Sequence, residues 1–231
     1  MLSEAEWQIV ALSLKVSIVA MLLTLPLAFA LAWVLARKRF AGRVLLDAIV
    51  HLPLVLPPVV TGWLLLLAFG AQGPVGRALD SLFGATVMFR WTGAAIAAAI
   101  MALPLMVRAI RLSIESVDRR LESAARTLGA GPWRTFFEIT LPLSLPGVLA
   151  AMVLGFARSI GEFGATITFV SNIPGETRTL PLAIYTALQV PGGETMATRL
   201  AIISVALSLI ALVASEALAR RGHAARTGHV L

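Results

Sequence analysis

Two ionisable residues lie four positions apart inside a strongly apolar segment of the chain. Arg158 and Glu162 can meet on one face of a helix, because residues spaced i and i+4 are neighbours on its surface. A charged arginine within a membrane span costs about 2.5 to 3.5 kcal/mol on insertion scales, so such a pair indicates either a function or mutual neutralisation. We expect an ion pair that helps to close a gate, with a purely structural or interfacial pair as the alternative.

A proline-rich break lies in another apolar segment. Pro53, Pro57 and Pro58 free backbone carbonyls and bend a helix, which lipid tolerates only where the break faces protein or a water-filled cavity. The break near Thr61 and Gly62 is therefore typical of a span that lines a pathway. The alternative is a kink that serves packing alone.

Motifs for catalysis are absent from the sequence. There is no G-x-x-x-x-G-K-[ST] phosphate loop, no H-E-x-x-H and no nucleophile elbow. His51, His223 and His229 are scattered, and the lack of cysteine excludes disulfides and thiolate metal sites. We therefore expect a chain that is not an enzyme, that holds no metal and that binds no cofactor itself.

The composition places most of the chain in lipid. Of its 231 residues 58% are hydrophobic and 13% are charged, against roughly 25% in soluble domains, and the mean hydropathy is +0.89. A net charge of +7 is compatible with nucleic-acid binding. The basic residues lie beside membrane-length segments, however, so we expect no nucleic-acid partner. The length predicts one domain, residues 1–231, with a core at about 11–218 and a short basic cytoplasmic tail at 219–231.

Five apolar stretches are long enough to cross about 30 Å of hydrocarbon, which takes roughly 20 helical residues each. They predict an all-α, polytopic transmembrane bundle, because lipid cannot satisfy open backbone hydrogen bonds. A shorter apolar run at 180–190 predicts a re-entrant or surface helix. The predicted spans cover residues 16–36, 45–69, 91–107, 145–163 and 200–218.

Lysine and arginine are distributed unevenly between the segments that connect these spans. With the N-terminus outside, the inner segments hold thirteen of them and the outer segments hold four. Cytoplasmic loops carry the excess of positive charge in membrane proteins. The bias therefore predicts a multi-pass inner-membrane protein with its N-terminus outside and its C-terminus in the cytoplasm.

The inner segment at 115–142 consists of two halves, each of which is amphipathic. Apolar residues recur at helical spacing in its first half, and the helix-breaking run 129–132 separates this half from a second short helix. We expect two short helices that meet at a tight turn, with the apolar side held on the chain's own bundle. A helix pair lying flat on the inner leaflet is the alternative. The apolar positions of the first helix are Leu121, Ala124, Ala125 and Leu128, and one face of the second holds Trp133, Phe136, Phe137 and Thr140.

Residues 122–129, followed by I-T-L-P at 139–142, resemble the EAA loop of bacterial ABC importer permeases. That pattern is E-A-A, three residues, G, nine residues and I-x-L-P; its spacing fits, although Ser123 stands where the first glutamate is usual. The resemblance implies a coupling helix that docks in a groove of an ATP-hydrolysing subunit. The residues assigned to this coupling loop are Glu122, Ser123, Ala124, Ala125, Gly129, Ala130, Gly131, Pro132, Trp133, Ile139, Leu141 and Pro142.

Further segments, at 52–62, 157–166 and 171–181, look like molybdate permeases, with sulfate and thiosulfate permeases as relatives. The resemblance implies the type I ABC importer permease fold and molybdate as cargo, with sulfate, thiosulfate or tungstate as alternatives. It also implies a periplasmic or extracellular oxyanion-binding protein, and ATP with Mg²⁺ in a partner chain. Five helices are too few to enclose a pathway, so we predict a homodimer bound to two ATP-binding subunits.

An oxyanion cargo favours a pathway of hydroxyls and backbone N–H groups, because a deep electrostatic well would prevent release. The rival classes are an ion-coupled secondary transporter, which favours inverted repeats and midplane carboxylates, and a membrane-embedded enzyme or assembly factor. The candidate pathway and gate residues are Pro57, Pro58, Thr61, Gly62, Arg158, Ser159, Glu162, Thr166 and Thr168.

Overall fold

A computed structural model describes residues 2–227, and every regular element among them is helical. This confirms the predicted all-α fold. The elements are α1 (Glu4–Arg37), α2 (Arg43–Val55), α3 (Pro58–Phe69), α4 (Pro74–Phe83), α5 (Trp91–Glu115), α6 (Arg119–Thr127), α7 (Pro132–Thr135), a π-helical turn (Phe136–Thr140), α8 (Leu141–Ile160), α9 (Gly164–Val170), α10 (Leu180–Leu188) and α11 (Glu194–Thr227).

The first helix begins at a capping box. Ser3 Oγ accepts a hydrogen bond from Glu6 N (3.2 Å), and Ser3 N donates one to Glu6 Oε2 (2.7 Å). This reciprocal pair satisfies backbone donors that a helix start otherwise leaves open. The helix then continues for 34 residues, about 50 Å at 1.5 Å per residue, and so begins well before the predicted span at 16–36.

Four helical stretches are long and apolar enough to cross a membrane: Glu4–Arg37, Trp91–Glu115, Pro132–Ile160 and Glu194–Ala214. The remaining predicted span, 45–69, is a pair of helices, α2 and α3, with a bend of 114° between them. The part of the chain that the structure describes thus holds four spans, or five when the bent pair is counted as one. The predicted bundle of about five spans is confirmed in this form.

The bend between α2 and α3 is much sharper than a simple kink. Pro57 and Pro58 cannot donate backbone hydrogen bonds, and Leu56 is extended at ψ 140°, as a residue before proline prefers to be. Pro58 then occupies the first turn of α3, where its missing N–H is tolerated. The prolines therefore end one helix and start the next.

Helices α1 and α5 pack side by side through small residues. In the later half of both helices, Ala28 and Ala32 are fully buried in a cluster with Met106. In the earlier half, Ala20 and Ala98 are buried in a second cluster. The two helices therefore run parallel, and their alanines permit the close approach on which helix association in lipid depends.

A third cluster joins the start of α1 to the end of α8 and to α10. It contains Ile9, Ile160 and Leu180, so α1 contributes to all three clusters. We call this end of the bundle, marked by the ion pair between Glu6 and Arg199 (2.8 Å), the cap end. The opposite end, where α1 and α5 finish and α8 begins, is the loop end.

The apolar run at 180–190 forms α10, which has nine residues and is too short to span a bilayer. Leu180 and Leu182 are fully buried, whereas Tyr185 is exposed. The Leu180 N–H donates a hydrogen bond to Ser13 Oγ of α1 (2.7 Å). The short helix is thereby fixed to α1 at the cap end.

The predicted tail at 219–231 lies partly in the last helix and partly outside the described residues. Helix α11 continues to Thr227, and residues 228–231 lie outside the described residues. The division into a core at about 11–218 and a tail stays a prediction.

Candidate functional sites

Two short helices meet at a glycine turn at the loop end, as the sequence predicts. Asp118 caps the start of α6 by accepting a hydrogen bond from Arg120 N (2.8 Å). Gly129 follows the helix at φ +88°, a left-handed conformation that side chains disfavour, and the Ala130 N–H donates to Ala125 O (2.9 Å). The turn therefore requires glycine at this position for conformational reasons.

Glu122 points towards the bundle. Its Oε1 lies 2.7 Å from Arg37 Nη2 at the end of α1 and accepts a hydrogen bond from Thr140 Oγ1 (2.8 Å). Arg37 Nη2 also donates to the backbone oxygen of Ile114 at the end of α5 (3.1 Å). These contacts, which we call the Glu122 clamp, tie α6 to α1, α5 and the π-helical turn.

The apolar residues of α6 are exposed together with most of its polar ones. Leu121 and Ala124 are exposed, and Leu128 is 88% exposed. The expectation that the apolar side is held on the chain's own bundle is therefore wrong for α6. The clamp explains the difference, because Arg37 holds Glu122 against the bundle, while the other side chains of α6, polar and apolar alike, stay exposed or partly exposed. We call Leu121, Ala124 and Leu128 the apolar ridge.

The aromatic residues of the second short helix do not share one face. Trp133 is 75% exposed and stacks on exposed Phe137, whereas Phe136 turns inwards. Phe136 makes edge-on ring contacts with Phe29 and Trp33 of α1 at 5.8 and 6.5 Å. The prediction of a common face fails because the π-helical turn, closed by the Leu141 N–H bond to Phe136 O, changes the angular spacing of these residues.

The other assigned loop residues surround this structure. Ser123 is exposed, and its hydroxyl donates to Arg119 O (3.1 Å). Gly131 and Pro132 are exposed at the start of α7, where Pro132 occupies the first turn. The partly or fully exposed remainder, leading into α8, consists of Ala125, Ala130, Ile139, Leu141 and Pro142.

The predicted pair of Arg158 and Glu162 does form. Arg158 Nη1 lies 2.7 Å from Glu162 Oε2, and the glutamate side chain is only 3% exposed. Its other oxygen accepts a hydrogen bond from Ala165 N (2.9 Å). The carboxylate therefore bridges the break between α8 and α9 and helps to hold the two helix ends together.

The start of α3 lies against the start of α9 with almost no space between the backbones. A Cβ added to Gly62 would lie 2.6 Å from Ala165 O and 2.8 Å from Thr168 Cβ. A Cβ added to Gly164 would lie 2.8 Å from Pro58 Cβ. The structure thus brings together residues of two distant segments that the sequence singled out separately.

The candidate hydroxyls differ in whether they have a partner. Thr168 Oγ1 donates to Gly164 O within its own helix (2.9 Å). Thr61 Oγ1 and Ser159 Oγ are buried and make no hydrogen bond among the described residues. Thr166 is buried as well. Because an unpaired buried hydroxyl costs free energy, Thr61 and Ser159 are unlike ordinary packing residues.

Arg37 is a site residue that its sequence context does not reveal. It opens a run of three basic residues and is, by sequence, only one of many charges on the predicted inner side. Its side chain is 10% exposed and forms the clamp. No sequence signal separates it from Lys38 and Arg39, because only the packing of α1 against α5 decides which of the three turns inwards.

A membrane bundle with a projecting two-helix loop and a broken span defines a transport permease, and the chain belongs to the binding-protein-dependent transport system inner membrane components, whose family model matches residues 9–222. It is thus a multi-pass inner-membrane protein. It is 62% identical over 219 residues to the molybdenum transport system permease protein ModB of Escherichia coli K12, with 95% of this chain and 96% of that one covered. The resemblance to molybdate permeases is confirmed.

Further relatives extend the comparison. The chain is 58% identical over 216 residues to ModB of Haemophilus influenzae, with 94% of each chain covered. It is 37% identical over 199 residues to the sulfate transport system permease protein CysT of Escherichia coli K12, with 86% and 71% covered.

Solved importers share the fold. The crystal structure of a bacterial ABC transporter that imports alginate superposes with a TM-score of 0.72 at 22% identity, covering 95% of this chain and 80% of that one. That of an amino acid ABC transporter superposes at 0.64 and 18% identity, covering 94% of each chain. These likenesses confirm the predicted type I importer permease fold.

Proposed function

We propose that this chain is the membrane-spanning permease of an ABC importer that carries molybdate across the inner membrane. One observation carries the proposal: 62% identity along 95% of the chain to a permease named for molybdenum transport. The sulfate permease is similar at only 37%, which favours molybdate over sulfate and thiosulfate as cargo, with tungstate as the chemically nearest alternative.

ATP hydrolysis is assigned to a separate subunit that binds ATP and Mg²⁺. The apolar ridge of α6 supports this part, because a ridge with Leu128 88% exposed beside a tight glycine turn suits a groove on a partner. The chain itself is then a non-catalytic subunit, and it binds no cofactor. The rest of the assembly is a second copy of the permease, two ATPase subunits and an oxyanion-binding protein outside the membrane.

The Glu122 clamp gives a physical route from the ridge to the membrane helices. A carboxylate that bonds to α1 and to the start of α8 makes the loop move as one body with both helices. Closure of the ATPase pair would tilt α1 and α8 instead of bending the loop. This assignment requires the loop end to face the cytoplasm, in agreement with the thirteen to four distribution of basic residues.

The α3–α9 contact is the proposed pathway region. Thr61 and Ser159 offer hydroxyls without partners, which can donate to an oxyanion in passing without the deep well that arginines would create. The ion pair of Arg158 with Glu162 is the proposed gate at the break between α8 and α9.

The gate has its own test. Glu162→Gln keeps the shape and one acceptor for Ala165 N but removes the charge that pairs with Arg158. We expect ATP hydrolysis to continue while uptake per ATP falls about tenfold, as a gate that no longer closes would leak. Unchanged uptake and coupling would assign the pair to structure alone.

The cargo is tested by competition. The permease is co-reconstituted with its ATPase and binding protein, and uptake of labelled molybdate is measured against a hundredfold excess of unlabelled molybdate, tungstate, sulfate or thiosulfate. We expect molybdate and tungstate to abolish the signal and sulfate and thiosulfate to leave it nearly intact. Equal competition by sulfate, or uptake that continues without ATP, would contradict the proposal.

A further inference from the structure

A basic pocket of about 420 Å³ lies beside the Glu122 clamp at the loop end. Four of its lining side chains are cationic and one is anionic, and that one, Glu122, is already paired with Arg37. The cations are Arg37, Lys38, Arg119 and Arg126. The pocket is therefore an unneutralised positive site.

The free hydrogen-bonding capacity around this pocket is also large. Lys38, Arg119 and Arg126 have no carboxylate within salt-bridge distance among the described residues. Arg119 Nη2 donates a hydrogen bond to Ala36 O (3.3 Å). The Arg37 side chain is nine-tenths buried, and its Nε has no acceptor in the described part of the chain. A buried donor without an acceptor, here Arg37 Nε, indicates a partner such as water or an anion, and the exposed cations beside it favour an anion.

An apolar pocket of about 410 Å³ adjoins the basic one. Almost all of its surface comes from aromatic and aliphatic atoms, including Phe29 and Ala30 of α1. Trp33, Pro132 and Phe136 line both pockets, so the two share a wall between α1 and the loop. Lys38 Nζ lies 5.4 Å above the ring of Trp33 at the boundary. Tryptophan at such a boundary is typical of the level of lipid headgroups.

We propose that this pair of pockets binds one anionic phospholipid, with the headgroup phosphate in the basic pocket and an acyl chain in the apolar one. A soluble oxyanion would fill only the basic half and would leave the aromatic half exposed. A zwitterionic lipid would fit the apolar half but would not neutralise the surplus cations. Basic pockets between membrane helices are suited to acidic headgroups for this reason.

The bound lipid would touch α1, α6 and α7 at once. It would fill the space next to the clamp and would oppose separation of the loop from α1. The proposal goes beyond the transport function and does not depend on which cargo is carried.

The test measures lipid binding to the purified full-length permease in detergent by native mass spectrometry. Phosphatidylglycerol is titrated against phosphatidylcholine of the same chains, and we expect phosphatidylglycerol to bind about tenfold more tightly. Lys38→Gln with Arg126→Gln removes two charges from the pocket, each of which contributes about fivefold near a membrane surface. This variant should lose the preference for the anionic lipid.

The matched control is Arg39→Gln with Arg120→Gln. Arg39 follows Lys38 in sequence, and Arg120 lies on α6 with Arg126. Both arginines are exposed, and neither lines either pocket. The control carries the same change in net charge and should keep the preference. Equal binding of the two lipids by the parent protein, or equal loss in both variants, would overturn the proposal.

Two further measurements separate a lipid from a soluble anion. Ala30→Trp fills the apolar pocket and should weaken phosphatidylglycerol binding while leaving the basic pocket intact. Inorganic phosphate or molybdate at millimolar concentration should not displace the lipid. Displacement by either anion, together with no effect of Ala30→Trp, would mean that the site binds a soluble oxyanion. Equal thermal stability of the variants excludes misfolding as the cause.

Discussion

The loop end and the region around the α8–α9 break are held by different forces. At the loop end a carboxylate, a guanidinium and a hydroxyl fix α6 through short polar contacts, and the apolar ridge stays outside. At the break, glycines bring two backbones into contact, and two buried hydroxyls find no partner among residues 2–227. The contacts at the loop end suit a region that moves as a unit. The region at the break instead keeps two hydroxyls available for hydrogen bonding beside a close-packed contact.

The largest effect should come from closing the contact at the break. Gly62→Val places a Cβ 2.6 Å from Ala165 O and should cost about 3 kcal/mol of unfolding free energy, the upper range for overpacking, and abolish uptake. Gly131→Ala is the control for stability alone, because nothing lies within 4 Å of its added Cβ and the residue belongs to the assigned coupling loop. Thermal unfolding in detergent and uptake by vesicles give the two readouts. If the Gly62→Val protein were as stable as the parent, close backbone packing would not distinguish the break from the loop end.

Stability at the clamp should depend on charge, whereas stability at the break should depend on side-chain volume. Arg37→Met leaves the Glu122 carboxylate without its cation, which costs about 3 to 5 kcal/mol in a fully buried pair and about 2 kcal/mol here, since Glu122 is 16% exposed. Adding Glu122→Leu should recover most of that loss, because the uncompensated charge is gone. Thermal unfolding of both single variants and the double variant completes the cycle. Additive losses would mean that the two residues are not coupled.

Removal of the buried hydroxyl of Thr61 should raise the stability of the protein but slow transport. Thr61→Val removes an unpartnered donor and should raise the unfolding free energy by about 1 kcal/mol while slowing uptake. Thr24→Val is the control, and it should lower stability slightly because that buried hydroxyl bonds to Ala20 O. Parallel changes in both variants would show that the free hydroxyl at Thr61 has no special part in the pathway.

The smallest effect on stability belongs to the apolar ridge. Leu128→Ser alters an exposed side chain and should change the unfolding free energy by no more than about 0.5 kcal/mol. Stimulation of ATP hydrolysis by the binding protein should nevertheless fall severalfold, because the proposed ATPase contact is lost. Leu82→Ser on α4, also strongly exposed, is the control and should leave coupling intact. Equal coupling in both variants would place the contact elsewhere.

Hydropathy predicted the membrane bundle well, because each span must be long and apolar whatever it packs against. The same pattern located the break at Pro57 and Pro58 but not its 114° angle, which depends on α3 meeting α9. Proline removes hydrogen bonds from a helix, and tertiary contacts then decide the direction of the chain. The angle was therefore beyond the reach of local sequence.

The loop shows the same limit. Spacing identified α6 as amphipathic, and the glycine run located its end, but the orientation of the apolar face was predicted wrongly. Amphipathicity gives two faces without saying which one is inside, and the ion pair between Glu122 and Arg37 places a polar residue of α6 against the bundle while Leu128 stays exposed. The pair of Arg158 with Glu162 was predictable from its four-residue spacing, although Glu162 lies just beyond the end of α8 at Ile160.

Helix α1 has a consequence for biogenesis, since it is synthesised before the other described helices and supplies side chains to all three core clusters. The small residues that α5 and α8 turn towards α1 are buried only once α1 is in the bilayer. Insertion of this one segment therefore sets the template on which α5, α8 and α10 dock during synthesis, and a chain that lost it would leave part of every cluster open to lipid and to quality-control proteases.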